Sequence, residues 1–148
     1  MPTTMKQTQE ELVANMREWQ KIENRGIVST SQIIEQSRNP LVRLVMEIIQ
    51  RDSQMHYRVQ ELIADSLESK AIELNVDEMA LLTEMIEKHL ALEQRTIELA
   101  KESLEKMNGR GMAIQTYLIE YLLKDEEKHN EILQNLAGIR GKMYPYAS

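Results

Sequence analysis

The chain is predicted to be all-α, an antiparallel four-helix bundle built from two related helical hairpins. Composition is the first reason: 148 residues contain five Gly and three Pro, while Glu, Gln, Lys, Arg, Leu and Met, which favour helix, dominate. Periodicity is the second, because apolar residues recur at steps of three and four, as helices that pack along one face require. The third is internal repetition. Moved seventy positions along the chain, Leu12 falls on Leu82, Met16 on Ile86, Glu23 on Glu93, Ile27 on Ile97 and Ile34 on Leu104. A shift of 73 lays the run Arg51–His56 over Lys124–His129, pairing Asp52 with Asp125 and His56 with His129. The small difference in shift falls near Asn39-Pro40 and Asn108-Gly109-Arg110-Gly111, where turn residues place loops.

The first helix is expected from about Lys6 to Ser37, with Leu12, Met16, Trp19, Glu23, Ile27, Thr30 and Ile34 on one stripe and Gly26 tolerated inside it. Asn39 caps the second helix and Pro40 takes its first position, where the missing N–H has no intrahelical partner to lose. That helix carries Leu41, Leu44, Val45, Ile49, His56, Val59 and Ile63 and fades near Ser69. Asn75-Val76-Asp77-Glu78 has the form of a capping box and opens the third helix, which ends at Asn108-Gly109. The fourth runs from about Gly111 to Leu136 and stops near Gly138. A single domain therefore covers residues 1–148, with the bundle over about 6–138 and an irregular tail over 139–148 that is available to a partner subunit. The core is expected to be aliphatic, with Met16, Met46, Met55, Met79 and Met85 filling gaps and Trp19 packed near the site.

Several function classes are excluded. No cysteine is present, which removes disulfides, thiolate-bound zinc, iron–sulfur clusters and cysteine nucleophiles. A net charge of −6 with interspersed signs argues against general nucleic-acid binding. The longest apolar runs are too short to span a bilayer. The start, MPTTMKQTQEE, lacks an apolar signal core, so a cytoplasmic location is expected.

The polar residues on the stripes carry the functional reading. Glu126 and His129 stand three apart, hence on one helical face. They continue the stripe of Leu122, Leu133 and Leu136, where an unpaired charge is costly. Each half of the chain supplies a stripe Glu from its first helix (Glu23, Glu93) and a stripe His from its second (His56, His129). His89 lies one turn before Glu93, where the first half has Trp19, and is a candidate added ligand or a group that orients Glu93. Mixed carboxylate and imidazole donors suit Fe(II), Mn(II) and Zn(II).

On these residues the chain resembles the ferritin-like superfamily, and within it the rubrerythrin-type di-iron proteins, over nearly its whole length. In that family the first and third helices each give a Glu, and the second and fourth each give a Glu-x-x-His. The resemblance implies a metal site of Glu23, His56, Glu93, Glu126 and His129. The chain departs from the pattern at Ser53, where a second bridging Glu belongs; the adjacent Asp52 is the candidate replacement, about 100° around the helix.

By resemblance the cofactor is iron, one or two ions, with manganese or zinc as alternatives, and the activity is Fe(II) oxidation or peroxide reduction. Without cysteines there is no rubredoxin-type site, so electrons come from a separate donor protein or from Fe(II) itself. A homo-oligomer, a dimer first of all, is expected, with neither nucleic acid nor membrane as partner. The competing reading is a degenerate ferritin-like bundle that holds no metal and serves as a structural or interaction module. In it, the stripe Glu and His residues form a buried hydrogen-bond network that specifies register.

Overall fold

The computed structural model describes residues 2–69 and 71–143. The protein is all-α, with helices α1 (Met5–Gln36), α2 (Pro40–Glu68), α3 (Val76–Met107) and α4 (Ala113–Met143). They have 32, 29, 32 and 31 residues, making each roughly 44–48 Å long. No strand occurs among the described residues. No helix among them is long and apolar enough to cross a membrane.

Helix α1 packs on α2, and α3 on α4, so the chain forms two compact units that divide after Ile72. Two helical hairpins of this kind are the parts from which an antiparallel four-helix bundle is made. In hairpin 1, Arg43 reaches Ile34, Gln50 reaches Ile27, and Gln60 reaches Glu23. One residue number rises as the other falls, which makes the pair antiparallel. In hairpin 2, Thr96 meets Glu126 while Glu93 meets His129, with the same consequence.

Local chemistry sets the helix ends. Thr4 and Gln7 form a reciprocal capping box at the start of α1, and Asn75 and Glu78 form the expected one at α3. Each box satisfies N–H groups that a helix start leaves without partners. Asn39 Oδ1 accepts from the backbone N–H of Leu41 and Val42 at 2.9 and 3.3 Å, with Pro40 at the first helical position. Arg43 donates to the carbonyls of Ile34 and Ser37, closing the end of α1. Between α3 and α4, Gly109 and Gly111 take φ values of 72° and 68°, a left-handed region that a side chain disfavours.

Two expectations are corrected. The fourth helix does not stop near Gly138 but runs on to Met143. Gly138 keeps a negative φ, and a glycine in that conformation weakens a helix without ending it. The part of the expected tail beyond residue 143 lies outside the described residues. The second correction concerns Trp19, Met55 and Met85, which are about half exposed, not core. Met16, Ala64, Ile86, Ile97 and Ala100 occupy the seams, and no large side chain among the described residues is fully buried.

Candidate metal centre

Polar residues lie in both seams. In hairpin 1, Gln20, Glu23, Thr30, Ser53 and Gln60 are buried. Glu23 Oε1 lies 3.3 Å from His56 Nδ1 and accepts from Gln60 Nε2 at 3.4 Å. Ser53 is buried beside Gly26, where an added Cβ would come within 3.5 Å of the Ser53 hydroxyl, an ordinary contact. Asp52 is exposed. A second network sits one turn away: Gln20 donates to the Tyr57 carbonyl at 3.2 Å and to Glu61 at 2.8 Å, and Arg17 donates to both Gln20 and Glu61. These bonds, those from Gln20 first, hold the Glu61 carboxyl below its usual range.

Hairpin 2 puts a different arrangement at the matching positions. Glu93, Glu126 and His129 each offer a ligand atom, and the three atoms lie within 4.8 Å of one another. Glu93 comes from α3 and is 5% exposed; Glu126 and His129 come from one face of α4. His129 Nδ1 is 3.6 Å from Glu93 Oε1 and 3.8 Å from Glu126 Oε2. Its other nitrogen, Nε2, lies 3.3 Å from Asp125 Oδ2. Asp125 is in turn held by Lys128 at 2.9 Å. Thr96 donates to Glu126 Oε2 at 3.2 Å, and His89 Nε2 sits 2.7 Å from Glu93 Oε1.

The second oxygen of Glu93, Oε2, is sealed from solvent, and no N–H group reaches it. What is left to satisfy it is a proton on Glu126 or a cation. The hydrogen bond between the two carboxyl groups holds Glu93 below the usual carboxylate range and pushes Glu126 above it, and burial adds to the rise at Glu126. Two carboxylates this close in a seam cannot both carry charge without compensation. Two carboxyl groups and an imidazole, with ligand atoms within 4.8 Å of one another, form a donor set that fits a divalent transition metal.

The sequence-derived residues thus gather by hairpin. Glu23, Ser53 and His56 lie together in hairpin 1, and Glu93, Glu126, His129 and His89 in hairpin 2. Residues that the stripes did not single out are Thr96, Gln20 and Gln60. Thr96 is three after Glu93, and Gln60 is four after His56, so i,i+3 and i,i+4 spacing from the candidate ligands could have marked both. No family model, curated protein or solved structure matches the chain.

Proposed function

We propose that the chain is a ferritin-like metal-binding protein in which Glu93, Glu126 and His129 hold a divalent ion, iron first, with manganese or zinc as alternatives. The observation that supports this reading is Glu93, a buried carboxylate with an oxygen that no N–H reaches, which offers a ligand atom within 4.8 Å of those of a second carboxylate and an imidazole. A cation would take the place of the proton that the two carboxyl groups share. Iron bound there would supply one-electron chemistry toward dioxygen or peroxide. The electrons would come from Fe(II) or from a separate donor protein.

In this reading the chain's own groups prepare the site. Asp125 holds His129 in the tautomer that offers Nδ1. Thr96 orients Glu126, and the proton shared by Glu93 and Glu126 leaves as the ion arrives. Self-association into a homodimer belongs to the same proposal, and the half-exposed Trp19, Ile22, Leu92 and Leu122 support it.

Metal analysis of the purified protein, followed by Fe(II) titration of the metal-free form, tests the assignment. Binding that is abolished by His129→Ala is the expected outcome. A wild-type protein that ignores added Fe(II) would sink it.

A second reading, a bundle that holds no metal and serves as a structural or interaction module, is favoured by hairpin 1. There Glu23 already has Gln60 and His56 as partners, and Ser53 supplies no carboxylate. In that case a chelator leaves the melting temperature unchanged, whereas bound metal raises it by mass action.

A further inference from the structure

The turn that joins α3 to α4 carries a chemistry that the candidate metal centre does not use. Seven asparagines occur in the chain, and Asn108 is the one followed by glycine. Four of the others, Asn15, Asn24, Asn130 and Asn135, lie inside helices, where the next backbone N–H is tied to the preceding turn. Asn39 and Asn75 cap helices, and their side-chain oxygens accept from backbone N–H groups. Asn108 differs from all six. It is exposed, and its side-chain amide has no hydrogen-bond partner among the described residues.

Asn108 (φ −57°, ψ 128°) and Gly109 (φ 72°) hold the central places of a turn closed by the Arg110 N–H on the Met107 carbonyl at 3.1 Å. These are the angles of a type II turn, whose hydrogen bond does not use the N–H of its third residue. The Gly109 N–H donates to no group among the described residues. An unengaged amide carbon therefore stands next in the chain to an unengaged backbone nitrogen, and Gly109 has no Cβ to shield that nitrogen.

We propose that Asn108 is a site of spontaneous deamidation, made reactive by Gly109. The Gly109 nitrogen loses its proton and attacks Cγ of Asn108. The N–Cγ bond forms, the Cγ–Nδ2 bond breaks, and ammonia leaves with the proton, which closes a cyclic imide. Water then opens the imide: cleavage at Cγ gives aspartate, and cleavage at the main-chain carbonyl gives isoaspartate. The balance is one water consumed and one ammonia released. Closure requires rotation about the Asn108 Cα–C bond, and the bond which that rotation gives up is Arg110 to Met107. Both products set a carboxylate beside the last carbonyls of α3, where the helix dipole disfavours negative charge. Isoaspartate also lengthens the backbone of the turn.

The test is incubation of the purified full chain at body temperature and mildly alkaline pH. Intact mass, peptide mapping and an isoaspartate assay are read on wild type, Gly109→Ala and Asn108→Gln, with helicity checked by circular dichroism. A Cβ on Gly109 meets nothing within 4 Å, so alanine fits the space; glutamine keeps the amide but has a larger ring to close. The Asn108 peptide is expected to gain the mass of an amide turned acid before any other asparagine peptide. Isoaspartate should exceed aspartate, because the main-chain carbonyl of the imide is the more electrophilic. Gly109→Ala should react about tenfold more slowly or slower still, as its Cβ crowds the nitrogen, and Asn108→Gln should not change there. An unaltered Asn108 peptide, another asparagine reacting first, or aspartate with no isoaspartate would each overturn the proposal. So would reaction of Gly109→Ala or Asn108→Gln at the wild-type rate.

Discussion

Hairpins 1 and 2 follow one pattern and spend it differently. The seam of hairpin 1 is largely polar, and most of its groups answer one another: Gln20 with Tyr57 and Glu61, Gln50 with Ile27 and Ser31, Gln60 Nε2 with Glu23, while Gln60 Oε1 has no partner. In hairpin 2 the corresponding places are apolar, with Leu90 for Gln20, Leu133 for Gln60 and Ala100 for Thr30. Its buried polar side chain, Glu93, therefore sits among Ile86, Ile97 and Ala100 in the seam. The difference teaches that a carboxylate at the same point of a repeat can be a structural acceptor or, as proposed for Glu93, a ligand. What decides is whether its neighbours bring hydrogens or lone pairs. Gln60 brings an N–H to Glu23; Glu126 brings more oxygen to Glu93.

That contrast is open to attack at matched positions. The largest effect is expected from Glu126→Ala, which removes a donor from the proposed centre and should weaken Co(II) binding by more than about a hundredfold, beyond the range of an orienting partner. Ser53→Ala, the equivalent change in hairpin 1, should leave the titration unchanged. Comparable losses from the two would mean that the hairpins contribute alike.

Next in size is the stabilisation by metal. At a free ion concentration a hundred times the dissociation constant, binding should add about 2.7 kcal/mol to the unfolding free energy. Thermal scans with and without chelator measure it, and Glu126→Ala should remove the difference.

In hairpin 1, Gln20→Leu should cost about 1–3 kcal/mol by taking donors from the Tyr57 carbonyl and Glu61. Denaturant unfolding is the readout, and metal affinity should not follow. The same network is expected to be acid-sensitive. Gln20 and Arg17 lower the folded-state pKa of Glu61, so its stabilising share is complete above the carboxyl's unfolded value. It is lost as pH falls through the lowered folded value. Glu61→Gln should flatten this part of the pH–stability curve.

The smallest expected effect is a gain. A Cβ built on Gly138 would meet nothing within 4 Å, so Gly138→Ala should stabilise α4 by up to about 1 kcal/mol.

Much of the fold was legible because helix ends are local. Asn39-Pro40 and Asn75 to Glu78 announce themselves through hydrogen bonds spanning three residues, and they start α2 and α3 where expected. The end of α4 was not legible, since Gly138 terminates a helix only with a positive φ, which the residue type permits but does not require. The pairing of Glu93 with Glu126 and His129 followed from the repeat and the i,i+3 spacing. Burial of Trp19, Met55 and Met85 was misjudged because a stripe shows which face is apolar and not how much of it a single neighbouring helix covers. The network of Arg17, Gln20 and Glu61 was missed because its members resemble ordinary surface residues until α2 is laid against α1.

The connection from Gln36 to Pro40 has a further consequence, one of timing. Closing so short a loop costs little chain entropy, and the contacts of hairpin 1 lie within the residues up to Ile72. The α1–α2 contacts are thus all available as soon as half the chain has left the ribosome. Units with such local contacts form in microseconds to milliseconds, whereas translation adds about 5–20 residues per second. The contacts between α1 and α2, Gln60 to Glu23 among them, accordingly have time to form before Glu93 is made.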